Sequence, residues 1–386
     1  MADRDGTQLA KAMADEASLG AKALRLGDSV PNVDALTCAW LTDVICRNTP
    51  SAEVMDFSVA AVSEGTHDRH RITLQYNPAG VAAGLPKTLF TKTLPTYKKR
   101  TMSGIVALRE SYFYNTIRPL VEIEAPRCFA STVSIETYAT IHAMEDLVVT
   151  KGARFADYRF PVNREMAADM VGLLAGLHGR FLAHTERAPH ERAIPSFALQ
   201  FNAFGKMANL AKYTEVGILD AGARVPARLL RSLDTIWPAT LKSLDLHRGE
   251  IRTIIHSDVH IGNWYQTGTG AMGLTDWQMM GIGHWARDLS YALATALVPE
   301  DRRNWEKDLV ALYADRLSQR SGTPVSFAEA WQAYRHQMLP ALAMWTITLR
   351  HDEALPDMQP EDMSLAMIER IATAMDDLET LALFDA

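Results

Sequence analysis

The residue pattern of this chain changes near position 147, and that change limits what it can fold into. Before it, residues 57–62, 71–76 and 88–94 are short runs of β-branched and aromatic residues, separated by turn residues such as Asn77-Pro78 and Gly84. Residues 103–117 read as a helix and 137–144 as a further strand. After it, residues 163–184 place Met166, Met170, Leu173, Leu174, Leu177 and Phe181 at i, i+3/i+4 spacing, the mark of an amphipathic helix. Residues 225–247 are expected to be helical, and short strands surround 251–277. Beyond Trp285 the chain reads as helical, with breaks near Ser321-Gly322 and Leu355-Pro356. The expected class is α+β and bilobal, a small lobe on an antiparallel sheet followed by a larger, mainly helical one.

The opening segment reads as a helical extension over residues 1–34. Residues 8–26 carry Ala, Leu and Met at helical spacing and run into Gly27-Asp28. Pro31-Asn32 then breaks the chain, and Asp34 is placed to cap a second helix through Leu41, Val44 and Ile45. The remaining divisions fall at 35–146 and 147–386. With 386 residues the chain can bury a large core without covalent staples. Its 39 basic and 46 acidic residues leave a net charge of −7, which gives no general electrostatic footprint for nucleic acid. Cys38, Cys46 and Cys128 form no CxxC pair, which argues against a disulfide framework and a cysteine-based zinc site. Acidic residues occupy the place of a signal peptide's apolar core, and no apolar run reaches the ~18–20 residues that span a bilayer. The expectation is a soluble cytoplasmic protein with no membrane span and no nucleic-acid partner.

The chemistry concentrates in Ile254-Ile255-His256-Ser257-Asp258-Val259-His260-Ile261-Gly262-Asn263-Trp264 and in Leu274-Thr275-Asp276-Trp277-Gln278. Asp258 is followed five residues on by Asn263 and thirteen further by Asp276. Protein kinases keep the same five-residue step between the catalytic Asp and a metal-binding Asn, with a later Asp on Mg²⁺. One carboxylate must sit beside the attacking hydroxyl, while an amide oxygen and a second carboxylate hold the ion against the β- and γ-phosphates. A rival set takes His256, Asp258 and His260 as metal ligands, because alternate residues of a strand share a face. That set leaves Asn263 and Asp276 without a purpose.

Such a phosphotransferase also needs a strand lysine for the phosphates and a helix glutamate to hold it. Lys92 lies in the apolar run Leu89-Phe90-Thr91-Lys92-Thr93-Leu94, and lysine is rarely buried unless paired. Glu110 lies eighteen residues on, in the expected helix. Between the first two strands, Ser63-Glu64-Gly65-Thr66-His67 is a candidate phosphate loop, with Gly65 and Thr66 at its tip. Glu145-Asp146-Leu147 falls at the change of character, where backbone groups of Glu145 and Leu147 would meet a nucleotide base.

These residues resemble the aminoglycoside/choline-kinase-like phosphotransferases, which have the protein-kinase-like fold. The resemblance is strongest to the ecdysteroid-kinase-like branch. It is carried by Leu89-Phe90-Thr91-Lys92, Arg109-Glu110-Ser111-Tyr112-Phe113-Tyr114, Ala125-Pro126-Arg127-Cys128-Phe129, Met144-Glu145-Asp146-Leu147 and Leu174-Ala175-Gly176-Leu177-His178. The two most specific stretches are His256–Asn263 and Thr275-Asp276-Trp277-Gln278 with Arg287-Asp288-Leu289-Ser290-Tyr291. The resemblance implies Asp258 as catalytic base, Asn263 and Asp276 as Mg²⁺ ligands, and Lys92 on the ATP phosphates with Glu110 as its partner. It implies that His256 and Asp288 brace the catalytic loop.

The implied activity is an ATP- and Mg²⁺-dependent kinase of a small-molecule hydroxyl substrate, on a fairly lipophilic alcohol. An aminoglycoside antibiotic O-phosphotransferase is the first alternative, since residues 301–386 carry more acidic than basic side chains. The Trp and Met content of the same region, including Trp331, Met338, Trp345 and Met363, suits a bulky apolar alcohol instead. A catalytically silent, kinase-like nucleotide-binding scaffold is the second alternative. A protein kinase fits less well, because no A-P-E segment lies between Asp276 and Asp288.

Overall fold

A computed structural model of the chain describes residues 6–20, 22–353, 355 and 357–384. Its contacts divide it into two compact units. One comprises the described residues up to Leu120 with Ala125–Arg154, the other Val121–Glu124 with the described residues from Phe155 onward.

The first unit is built on a five-stranded antiparallel sheet, formed by β1 (Val54–Ser63), β2 (Asp68–Tyr76), β3 (Thr88–Thr93), β4 (Cys128–Val133) and β5 (Thr140–Glu145). The strand order is β1-β2-β3-β5-β4. Helices α1 (Gly6–Leu19), α2 (Cys38–Ile45) and α3 (Tyr97–Tyr112) accompany it. Side chains alternate across a strand, so the sheet has two faces of different chemistry. One face buries Ile72, Leu74, Leu89, Ile141 and Ala143 with Trp40, Leu41 and Val44 of α2. The other carries Lys92 directly opposite His142, and His142 directly opposite Ser131. Helix α3 brings Glu110 onto this polar row.

Arg100 of α3 ties the opening segment down. Its guanidinium is buried and donates from Nε to the Leu94 carbonyl (2.8 Å), from Nη1 to Glu16 (2.6 Å) and the Thr137 carbonyl (3.2 Å), and from Nη2 to the Pro31 carbonyl (3.0 Å). Glu16 lies on α1 and also accepts from the Thr137 hydroxyl at 2.7 Å.

The second unit contains α4 (Arg164–Phe181), α5 (Phe197–Met207), α6 (Leu210–Ala221), α7 (Leu233–Ser243), α8 (Ala286–Ala296), α9 (Pro299–Ser321), α10 (Phe327–His336), α11 (Met338–Leu349) and α12 (Glu361–Asp377). Helix α4 starts where Asn163 accepts the Met166 N–H, and it packs along α9 through its apolar stripe. Every residue of α8 is buried, with α10, α11 and α12 packed around it. Two strand pairs complete the unit: β6 (Thr253–Ile255) with β9 (Gly281–Gly283), and β7 (Trp264–Gln266) with β8 (Met272–Leu274). At Gly283 the backbone runs so close to His247 that a Cβ would lie 2.6 Å from Nδ1. Glycine is required there.

The α+β class with an antiparallel sheet is the one the sequence led us to expect, and the local boundaries shift. Helix α1 stops at Leu19 rather than near 26, because Gly20 turns left-handed with φ 52°. Thr37, not Asp34, caps α2 by accepting the Trp40 N–H. Helix α3 begins six residues before the expected 103, after the Thr96 cap, and its end loosens into a π turn over Phe113–Ile117. Strand β5 begins at Thr140, since Tyr138 sits in a turn with φ 55°. Strand β4 and helices α5 and α6 were not anticipated. Their apolar residues are interrupted too often to show a clean period. The break expected at Leu355-Pro356 falls between α11 and α12, with Pro356 itself outside the described residues, as are residues 1–5 of the expected extension. The sequence places a division at 146/147, and the contacts group residues 125–154 with the sheet. The residues after 34 are likewise not separate from those before it.

Replacing Arg100 with Leu would strand three carbonyls and the Glu16 carboxylate. The expected loss is about 3–5 kcal/mol of stability, the usual cost of removing one partner from a buried ion pair. A urea unfolding series on Arg100→Leu and wild type measures it.

Candidate active site

Strand β6 ends at Ile255 and delivers His256, Ser257 and Asp258. Their placement depends on Asp288, the third residue of α8. This buried carboxylate accepts the His256 N–H at 2.6 Å, the Ser257 N–H at 2.9 Å and the His178 Nε2–H at 3.1 Å. The His178 Nδ1 in turn accepts from the Tyr313 hydroxyl at 2.7 Å. Burial by itself would raise the Asp288 pKa. The His178 hydrogen bond, the His178 and His256 rings and the His256 N–H together hold it below the ordinary carboxylate value.

Arg287 supplies the opposing clamp. Its Nη2 donates to the Ser257 carbonyl at 3.1 Å, and its guanidinium lies 4.1 Å from the Tyr291 ring centre and 5.1 Å from that of Phe197. Held at its N–H by Asp288 and at its carbonyl by Arg287, Ser257 is fixed at φ 73°. A left-handed backbone is costly for a residue with a Cβ.

His256 links the loop to the next segment. Its Nδ1 accepts the Asp258 N–H at 3.2 Å and its Nε2–H donates to the Thr275 carbonyl at 2.9 Å. Trp277 meets the ring edge-on at 4.6 Å. Burial lowers the His256 pKa and keeps the ring neutral. Both nitrogens are therefore engaged, and His260 spends its Nδ1 on the Gly262 N–H at 3.1 Å. The rival metal set of His256, Asp258 and His260 fails, because His256 has no lone pair to offer an ion.

Asp258 and Asn263 meet directly. The Asn263 Nδ2 donates to the Asp258 carbonyl at 2.7 Å and to its Oδ2 at 3.3 Å, and the Tyr291 hydroxyl donates to Oδ1 at 3.4 Å. Burial first, then the Asp258 charge, push the Tyr291 phenol well above its ordinary pKa. Asn263 immediately precedes β7 and Thr275 immediately follows β8. The pairing of Trp264 with Leu274 continues as Thr275 N and Oγ1 both donate to the Asn263 carbonyl, at 2.9 and 3.0 Å. Asn263 and Asp276 thus stand at one end of one strand pair, with Asp276 at φ 65°. An amide oxygen and a carboxylate are a hard, all-oxygen donor set, which suits Mg²⁺ and not a soft ion.

In the first unit the Lys92 Nζ donates to Glu110 Oε1 at 2.8 Å, and both side chains are buried. Gly65 and Thr66 are exposed at the β1–β2 connection, whereas His67 is turned inward and 1% exposed. Glu145 ends β5, with Oε1 accepting from the Thr150 hydroxyl (2.7 Å) and Oε2 from the Arg127 N–H (3.3 Å). Leu147 opens a five-residue helical turn. Asp146 between them is buried and takes two hydrogen bonds from Arg71, at 2.6 and 3.3 Å.

Tyr291, Arg287, His178 and Asp146 were not given roles from sequence. For the first two a signal existed: Arg287 and Tyr291 are one helical turn apart, so a cation and an aromatic ring share a face. His178 and Asp146 bond partners more than seventy residues away in sequence, which no local pattern reveals.

Comparison with known proteins bears on the family and the fold. The phosphotransferase enzyme family matches residues 118–345, more than half of the chain. The chain belongs to that family, and the expectation of a phosphotransferase is borne out. Among solved structures it resembles a protein from Ralstonia eutropha JMP134 provisionally named an aminoglycoside phosphotransferase, at 13% identity and a TM-score of 0.51 over 88% of this chain and 96% of that one. It also resembles a microcompartment-associated aminopropanol kinase, at 12% identity and a TM-score of 0.51 over 86% and 94%. These likenesses bear out the protein-kinase-like fold. A search of curated proteins finds no match.

The second unit should be acid-sensitive. His247 donates through Nε2 to Gln337 Oε1 (2.8 Å) and accepts the His284 N–H at Nδ1 (3.1 Å), and His284 accepts the Ala286 N–H at the start of α8 (3.2 Å). Burial pushes both rings down to about 3. A depressed histidine contributes stability that is complete above the unfolded pKa of about 6.5 and is lost as pH falls towards the folded value. At pH 5.5 these two rings should each remove roughly 1 kcal/mol, with His256 acting in the same direction. Urea midpoints at pH 7.5 and 5.5, on wild type and His284→Gln, measure the difference.

Proposed function

We propose that the protein is an ATP- and Mg²⁺-dependent kinase that transfers the γ-phosphate to a hydroxyl of a small, neutral, fairly lipophilic alcohol. The observation that carries this reading is the join between Asp258, Asn263 and the Asp276 end of the β7–β8 pair. In this reading Asp258 orients the acceptor hydroxyl and takes its proton late, so it needs no raised pKa. Asn263 has its amide nitrogen committed to Asp258, which leaves its oxygen for the metal beside the Asp276 carboxylate. Mg²⁺, when bound, neutralises phosphate charge as the bond to the leaving group breaks. Lys92, held by Glu110, contacts the phosphates, while Gly65 and Thr66 offer backbone and hydroxyl donors. Backbone groups of Glu145 and Leu147 receive the base. His256 and Asp288 act through position alone.

The surroundings of Asp258 favour a neutral alcohol over a polycation. His260 meets Trp345 edge-on at 5.2 Å and faces Tyr291 at 6.3 Å, and the Gly262 backbone lies against Met363. These buried neighbours are aromatic and apolar, which supports an apolar acceptor. The acids of the C-terminal helices are largely committed elsewhere. Asp377 binds Arg302 and Arg303, Asp376 binds Arg228, Glu369 binds Arg224, and Asp362 binds Arg159. Among the described residues these acids are paired with arginines, which supports a neutral acceptor over a polycation.

Thermal unfolding with ATP or GTP, with and without Mg²⁺, tests the nucleotide and metal. A ligand at 100 times its Kd stabilises by about 2.7 kcal/mol. A Mg²⁺-dependent shift in wild type that disappears in Asp276→Ala is expected, and its absence in wild type would count against the reading. Asp258→Asn should keep the shift yet lower phosphoryl transfer to a responsive alcohol by roughly 100- to 10,000-fold. Lys92→Ala should weaken both. Retained transfer in Asp258→Asn would remove that residue from its role, and a preference for aminoglycosides in an alcohol panel would favour the antibiotic-type reading.

A further inference from the structure

On the polar face of the first sheet Glu110, the partner of Lys92, meets two histidines that the proposed phosphate transfer does not use. His67, Glu110 and His142 are all buried, and one ligand atom from each lies within 4.8 Å of the others. They come from three separate places: the connection after β1, helix α3 and strand β5. The His142 Nε2 stands 3.8 Å from Glu110 Oε2. Its other nitrogen, Nδ1, is 2.7 Å from the Ser131 hydroxyl, the residue directly opposite on β4. A second partner on Nδ1 fixes the ring and aims Nε2 at the carboxylate, which is how histidine ligands of metal sites are commonly oriented. The ring of His67 completes the set, 6.2 Å between centres from that of His142.

We propose that His67, Glu110 and His142 form a binding site for a divalent transition-metal ion such as Zn²⁺, and that Lys92 competes with the ion for Glu110. Two imidazoles and one carboxylate, with a fourth position for water, are a common zinc donor set. Ligand atoms bound tetrahedrally at about 2.0–2.2 Å lie about 3.4 Å apart, so closure from separations of up to 4.8 Å needs a contraction of up to about 1.4 Å. Imidazole donors disfavour Mg²⁺, so this site is chemically distinct from the oxygen pair of Asn263 and Asp276. Lys92 supplies the competition: its ammonium already neutralises Glu110 at 2.8 Å, in a space where both side chains are buried. A divalent ion beside that ammonium would leave excess positive charge out of water. The ion and the Lys92–Glu110 pair therefore exclude one another.

The test is a Co²⁺ titration of the full chain, followed by visible absorption and by equilibrium dialysis against Zn²⁺, both in millimolar Mg²⁺. One ion per chain is expected, retained against the Mg²⁺ excess. His67→Gln and His142→Gln should each weaken binding at least tenfold. Lys92→Met should tighten it at least tenfold, an effect that a purely structural cluster would not give. Unfolding midpoints confirm that each variant is folded, and His67→Gln, in a connection between strands, stands in should His142→Gln fail. Binding absent from both wild type and Lys92→Met would overturn the proposal. So would binding unchanged by either histidine substitution, an affinity unchanged by Lys92→Met, or binding lost in Asp276→Ala. The site does not rest on the kinase reading, whose failure would appear in the Asp258 and Asp276 variants with Co²⁺ binding intact.

Discussion

The carboxylate of Asp288 is the point on which the rest of the site depends. The loop that presents Asp258 has its backbone held still, because two consecutive N–H groups in a dry interior each need an acceptor. Asp288 satisfies both from a single side chain, on a helix buried all round. His178 and Tyr313 then fix the carboxylate from behind. Four elements that are distant in sequence are thereby held in register, namely α4, β6, α8 and α9. The packing of α4 along α9 is thus also a condition on the geometry of Asp258.

Two residues carry the backbone strain this arrangement requires. Ser257, which precedes Asp258, and Asp276, which follows Thr275, both have left-handed φ. At Ser257 the cause is visible: Asp288 takes the N–H and Arg287 takes the carbonyl, which leaves the chain no extended alternative. At Asp276 the chain leaves β8 after Thr275 has been pinned three times, through its N–H, its hydroxyl and its carbonyl. The strain is of the order of 1 kcal/mol or more at each position, and it persists because the neighbours over-determine the backbone.

Much of this was legible in the sequence. The three strands from 57 to 94 were legible from β-branched and aromatic runs bounded by turn residues, and the helix after Asn163 from its period, which burial of one face imposes. The Asp258, Asn263 and Asp276 spacing was legible because one short strand pair, β7–β8, sets it locally. Lys92 with Glu110 could be paired because an apolar flank around a lysine demands a counter-charge. What could not be read were contacts fixed only by tertiary packing. Arg71 on Asp146, His178 on Asp288 and Arg100 on Glu16 each join segments with no shared pattern. Helix ends also escaped, since Gly20 and Thr37 act through a single φ or a single hydrogen bond, and a hydrophobic period does not register either.

The two buried carboxylates that organise the molecule differ in one physical respect. Asp288 is surrounded by two backbone N–H groups and one imidazole that is itself fixed, so its partners cannot leave without unfolding the elements that carry them. Glu110 is held by a lysine on a flexible four-carbon stem and faces an imidazole at 3.8 Å. Backbone donors make a permanent bond in the structural sense, whereas a side-chain cation can exchange its partner for a phosphate or be displaced by another cation. The first carboxylate therefore fixes the backbone that presents Asp258, whereas the second keeps a partner that can be exchanged. A chain that fixed both with backbone donors would gain rigidity and lose any means of responding at the lysine.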